Sequence, residues 1–163
     1  MDVTILEGDL LDQPVDAIVN AWNRNIIPWW LLLPQGVSGA IKKRAGLEPF
    51  REVGRCGPIP LGDAVLTGAG RLPLRGIIHV AGINGWWRAS EFSICASTRN
   101  AVGVAAAQGY ASLACPIIGA GSGGFSTEAA LKLMRDELSR LEAPLQVSII
   151  RYVRPAKSGD KMR

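Results

Sequence analysis

This chain of 163 residues has few of the residue types used in metal, redox or membrane chemistry. Histidine occurs once, at His79. The three cysteines, Cys56, Cys95 and Cys115, are odd in number, far apart and free of any CxxC spacing. That pattern excludes a disulfide framework and the usual zinc ligand sets, so no metal and no cofactor is read from it. Long apolar runs are missing too. The longest, residues 26–33, is interrupted by Pro28 and is too short to cross a bilayer, which argues against a membrane partner. No basic segment followed by an apolar core opens the sequence, so no signal peptide is read and a reducing, cytoplasmic compartment is the expectation. Repeats and low-complexity linkers are absent as well.

What is present describes one ordinary globular domain. Hydrophobic residues make up 48% and charged residues 20%, a balance that buries a core without staples at this length. Residues 1–155 read as a single domain, and residues 156–163 as a short, polar, flexible tail. The net charge of +4 is compatible with a polyanionic partner, but Lys and Arg are scattered and only Lys42, Lys43 and Arg44 form a run. A solvated helix face explains such a run, so nucleic acid is the least supported partner.

Strand-like and helix-like segments alternate, which indicates a layered α/β domain. Strands are expected at residues 3–7, 17–20, 64–67, 76–80, 111–118 and 146–153. Helices are expected at residues 37–45 and 49–55. A long helix should start after Ser90 and stop near Gly109, and another should start after Ser126 and be stopped by Pro144.

The most informative stretch is PIIGAGSGGF, residues 116–125. An apolar strand runs into Gly119, Ala120, Gly121, Ser122, Gly123, Gly124 and Phe125, and a helix begins at once. Glycines allow consecutive N–H groups to converge, and the helix start adds unpaired donors and a positive dipole end. Together they form a phosphate site that needs no lysine. The stretch also matches GxGxxG, the dinucleotide fingerprint of the Rossmann fold, but it lies late in the chain and the next strand ends without an acidic residue for a ribose. A glycine turn without a ligand is the third reading. A second glycine-bearing helix start, Gly36, Val37, Ser38 and Gly39, would let two loops hold a diphosphate from both sides. After the first strand, Asp9 could accept from an adenine amino group or simply cap a turn. After the second, Asn20 and Asn23 offer donors and acceptors to ribose hydroxyls, or form a turn.

These segments in order — GDL at 8–10, DAIVNAWN at 16–23, QGVSGAI at 35–41, IIHVAG at 77–82 and PIIGAGSGGF at 116–125 — resemble the successive signatures of the macrodomain family. The resemblance implies a three-layer α/β/α fold with a mixed central sheet and ADP-ribose, free or attached to a protein, in a cleft at its crest. It implies that Asp9 holds the adenine amino group, that the Leu10 backbone contacts adenine, and that Tyr152 stacks on it. It further implies that Asn23 faces the distal ribose, that Gly36 and Val37 border that ribose and the phosphates, and that the loop from Gly119 to Gly124 wraps the diphosphate.

The sequence also departs from the family pattern. Residues 26–36 replace a run of glycines with a bulkier segment containing Trp29 and Trp30. Ser38 stands where hydrolytic members carry an aspartate, and Gly123 where many carry an aromatic residue, a role Phe125 could share. For catalysis this leaves Asn23 and Ser38, with Asn84 as a further candidate. His79 reads as a core histidine and Glu91 as a first-turn helix acid. The five tryptophans fall at residues 22–30 and 86–87, and these two regions are expected to meet and wall the distal ribose. Three functions follow: hydrolysis of mono-ADP-ribosyl or O-acyl-ADP-ribose esters, non-catalytic reading of ADP-ribose, and nucleic-acid or other nucleotide binding.

Overall fold

The computed structural model describes residues 1–31 and 36–154. The expected flexible tail and residues 32–35, near the end of the tryptophan-bearing segment, lie outside the described residues. The elements run β1 (Asp2–Gly8), β2 (Ala17–Trp22), α1 (Gly36–Ala45), α2 (Glu48–Arg55), β3 (Ala64–Thr67), β4 (Gly76–Ala81), α3 (Glu91–Ala107), β5 (Ser112–Pro116), α4 (Thr127–Leu138) and β6 (Gln146–Tyr152). Short 3-10 turns at Leu10–Asp12 and Gly121–Gly123 follow β1 and precede α4.

The six strands form one sheet in the order β1-β6-β5-β2-β4-β3. All neighbours are parallel except β3, which pairs antiparallel with β4. This is the mixed sheet that was expected. Because strand side chains alternate between faces, each buried strand feeds two cores. Ala17, Val19, Ile78, Val80, Leu113, Cys115, Val147 and Ile149 pack with α3 and α4. Ile18, Trp22, Ile77, Ala81, Ala114 and Ile150 pack with α1 and α2 on the other side. The layers are therefore helix, sheet, helix.

Local chemistry sets the element ends. Ser90 caps α3 in a capping box with Ser93, and Ser126 caps α4, as the sequence indicates. Three boundaries differ from expectation by two residues or more, and the first is β2, which runs on to Trp22 instead of ending at residue 20. β5 ends at Pro116 because the chain there turns toward Gly119, and α4 ends at Leu138, well before Pro144. The stop comes at Ser139, whose N–H closes on Arg135 and Glu137 carbonyls while its hydroxyl donates to Asp136 O.

Strand direction positions everything that follows. β1, β6, β5, β2 and β4 all point their carboxyl ends to one edge of the sheet. β2 and β5 share only two register pairs, Ala17 with Leu113 and Ile18 with Ala114. Beyond them the two strands part. The chain continues from β2 toward β4 and β3 on one side, while β5 and β6 lie on the other. That reversal is a topological switch point, where a parallel sheet leaves a crevice outside its carboxyl ends.

Candidate functional site

The switch-point crevice gathers most of the residues singled out from the sequence. On one wall, β5 delivers the chain into the glycine loop. Gly119, Gly121 and Gly124 take φ values of 88°, 78° and 81°, the left-handed region that glycine alone enters without strain. Within the loop, Ala120, Gly124 and Phe125 donate N–H bonds to Ile117, Gly121 and Gly119 carbonyls. Gly121 N–H turns back toward Phe125 O in the parallel bridge between Ala120 and Phe125, and the Gly119 and Ser122 amides make no hydrogen bond among the described residues. Ser122 is exposed in the 3-10 turn, where donors are left over by geometry. Such donors can bind an anion through the backbone alone.

Gly123 is buried for a different reason. A Cβ there would sit 2.9 Å from Ala89 Cβ, and its carbonyl accepts from Ala89 N at 2.9 Å. The loop is thus pinned to the start of α3, which leaves no room for an aromatic side chain at position 123. Phe125 is half-buried and packs against the core shared with α3 and α4.

The other wall comes from β2 and α1. Gly36 opens α1 with φ 54° and is exposed, and Val37 packs onto the α1/α2 core. Asn23 follows β2 directly. It is nearly buried, and its Oδ1 accepts from Asn25 N at 2.6 Å in a side-chain turn. Its amide Nδ2 has no partner among the described residues. Asn25 holds the left-handed φ of 59° because its own amide donates to Val53 O and Gly57 O.

Asn20 is a correction. It was expected to reach ribose hydroxyls, yet it is fully buried and both ends of its amide are committed. Oδ1 accepts from Ser38 Oγ at 2.9 Å and Nδ2 donates to His79 Nδ1 at 3.1 Å. Asn20 lies on the β2 face shared by Ile18 and Trp22, which turns it toward α1 and α2. His79 is the core histidine that was expected. Burial pushes its pKa down to about 3, so it stays neutral. Asn84, the further candidate, accepts from Trp86 N and Arg88 N through Oδ1 and so also shapes a turn.

Farther along the same edge, Asp9 and Tyr152 stand beside one another, since Gly8 and Tyr152 are register partners at the ends of β1 and β6. Tyr152 is exposed. Asp9 Oδ1 accepts from Leu11 N at 2.8 Å, the turn cap that competed with the ligand role, while Oδ2 faces Arg44 Nη1 at 3.8 Å. Leu10 is buried on the same turn, and its backbone N–H makes no hydrogen bond among the described residues.

The two tryptophan regions do meet: Ile26 Cδ1 lies 3.7 Å from where a Cβ on Gly85 would stand. Their rings divide into two groups. Trp22 is core, and Trp29 lies over Gly54 of α2, with its carbonyl accepting from Lys42 Nζ at 3.0 Å. Trp30, Trp86 and Trp87 are exposed. Among the described residues no cluster of ligating side chains could hold a metal. Burial pushes the Cys115 thiol up to about 12, which removes it as a nucleophile.

Comparison with known proteins is specific. A family model described as Macro domain matches residues 19–134. A protein of Escherichia fergusonii named O-acetyl-ADP-ribose deacetylase is 36% identical over 162 residues, covering 92% of this chain and 88% of its own. A Macro domain-containing protein of Listeria monocytogenes is 34% identical, covering 94% and 89%. A mutant Oceanobacillus iheyensis macrodomain with ADPR superposes with a TM-score of 0.78 at 24% identity, over 90% of this chain and 82% of the other. The macrodomain of Mycobacterium tuberculosis DarG gives 0.75 at 22% identity, over 91% and 96%.

Proposed function

The chain belongs to the macrodomain family, and from that premise we propose that it binds ADP-ribose along the carboxyl edge of its sheet and hydrolyses ester-linked ADP-ribose. The observation that carries the reading is the parting of β2 and β5 beside the glycine loop, whose Gly119 and Ser122 amides are unpaired among the described residues. Those amides would hold the diphosphate. Tyr152, one strand away on β6, and Asp9, two strands away after β1, would take the adenine, and Asn23 with the start of α1 would take the distal ribose.

Relatives named O-acetyl-ADP-ribose deacetylase support an ester substrate. Hydrolysis adds water across the acyl C–O bond and releases the acid and ADP-ribose. The residues of this chain would contribute position, through Asn23 Nδ2 and Ser38 Oγ beside the ribose, and charge stabilisation, through the loop amides. ADP-ribosyl groups on acidic protein side chains present the same ester chemistry. Calorimetry with ADP-ribose, followed by release of acetate from O-acetyl-ADP-ribose, tests the proposal. Heat of binding together with acetate release supports it, and no binding overturns it.

A second reading is favoured by a specific observation. Ser38 stands where the family resemblance places an aspartate, and its hydroxyl is bonded to Asn20 Oδ1 and not to a carboxylate. A non-catalytic reader would bind ADP-ribose as tightly and leave both the acetyl ester and an automodified acceptor intact.

A further inference from the structure

A chain of four polar side chains runs from the crevice into the core between the sheet and α1/α2. Ser38 of α1 meets Asn20 of β2, which meets His79 of β4, which meets Thr67 at the end of β3. Each link has one allowed direction. The Asn20 amide nitrogen can only donate, so His79 Nδ1 accepts. A neutral imidazole then carries its proton on Nε2, which donates to Thr67 Oγ1 at 2.8 Å. Thr67 sends its own proton to Gly68 O at 3.0 Å. At the other end, Asn20 Oδ1 can only accept, so Ser38 must donate inward. The second group near Ser38 Oγ, Ala21 O at 3.4 Å, is also an acceptor. The serine proton therefore stays inside the protein with either partner.

The surroundings hold the chain in this state. Asn20 and His79 are both fully buried. Trp22 and Phe50 meet the imidazole edge-on, with centroids 6.4 and 5.8 Å away. Lys42 Nζ lies over those same two rings, at 5.7 and 5.0 Å, and burial alone keeps the imidazole neutral.

We propose that this relay makes Ser38 a fixed hydrogen-bond acceptor for a hydroxyl of the distal ribose, with Asn20, His79 and Thr67 as positioning residues. The proposal rests on the ADP-ribose reading above. With its proton turned inward, Ser38 Oγ offers only lone pairs to the crevice. It selects a sugar hydroxyl and disfavours a phosphate or carboxylate oxygen at that spot. It replaces the acceptor function of the family aspartate without its charge. Ser38 is also excluded as a nucleophile, because its proton goes to an amide oxygen and His79 has no contact with it.

The single histidine makes the test direct. Nitrogen NMR of the full chain should show His79 protonated on Nε2, with Nδ1 bare. Calorimetry with ADP-ribose should show Ser38→Ala binding about tenfold more weakly and Ser38→Asp, which restores an acceptor, binding at least as well as the wild type. Thr67→Val should weaken binding in the wild-type background and have no further effect in Ser38→Ala, a coupling that general destabilisation does not produce. A proton on Nδ1, or Ser38→Ala binding unchanged beside a wild type that binds, overturns the relay alone. A wild type that binds no ADP-ribose overturns the parent reading, whatever the tautomer.

Discussion

Asn20 and Asn23 are three positions apart and have opposite fates. β2 alternates faces, so Ile18, Asn20 and Trp22 all turn toward α1 and α2, whereas Asn23 lies past the strand end. That alternation was legible in the sequence and would have placed Asn20 inside. What it could not give was a partner, because His79 lies 59 residues away and becomes a neighbour only through the β2–β4 pairing. The buried histidine has a consequence for stability. Its pKa is lowered in the fold to about 3, from an ordinary 6.5, so the unfolded chain binds more protons between those values. Stability is therefore full above about pH 6.5 and falls as pH drops through the window, by about 1.4 kcal/mol per pH unit for this group. Urea denaturation should show a loss of about 2 kcal/mol between pH 7 and pH 5, with a flatter profile in His79→Gln. An equally steep profile in that variant would place the acid sensitivity elsewhere. Asp9 allows a cleaner separation of fold from ligand. Asp9→Ala removes both the Leu11 cap and the adenine acceptor, so it should lose about 1 kcal/mol of stability as well as affinity. Asp9→Asn keeps an oxygen for the cap and should lose affinity alone. If calorimetry with ADP-ribose finds either variant unchanged, Asp9 does not hold the base.

At the scale of elements, the glycine loop separates conformation from space. Gly121 has φ 78° and nothing within 4 Å of where a Cβ would stand. A side chain there would extend into open space, at a backbone cost of about 1–2 kcal/mol. Gly121→Glu should therefore fold, with a melting temperature a few degrees lower, and lose ADP-ribose binding altogether by placing a carboxylate over the amides. A variant that still binds would move the phosphate site away from this loop. Gly123→Ala makes the converse case. Its Cβ would press on Ala89, so stability should fall by about 1–3 kcal/mol, visible in thermal unfolding, as the loop is pushed off α3. The capped starts of α3 and α4 were legible because Ser90 and Ser126 act within one turn. The end of α4 was not, because proline marks only where a helix cannot continue. The tryptophan regions were legible as a pair, but which rings face outward depended on packing against Gly54, a contact no local pattern encodes.

For the whole molecule, order along the sheet edge governs function. Asp9 and Tyr152 on β1 and β6, the loop after β5, and Asn23 after β2 follow one another across three strand spacings, about 14 Å at ~4.8 Å each. The sequence motifs indicated what lies at each strand end, but only the strand order 1-6-5-2-4-3 makes them consecutive, and that order is set by crossover connections with no local signature. The grip proposed for the diphosphate is made of backbone amides, although the chain carries a net charge of +4. These two facts make opposite predictions about salt. Binding through dipoles at a sheet edge releases few counterions, so ADP-ribose affinity should change by no more than about twofold between 50 and 200 mM salt. Binding driven by the scattered basic residues would neutralise the two phosphates and lose affinity by about tenfold over the same range. Thermal shift with ADP-ribose at both salt concentrations decides between them. At about 100 times the dissociation constant, the ligand should add about 2.7 kcal/mol and raise Tm by roughly 5–10 °C at either salt. A shift cut to about half at 200 mM would mean that surface charge, not the loop, holds the ligand.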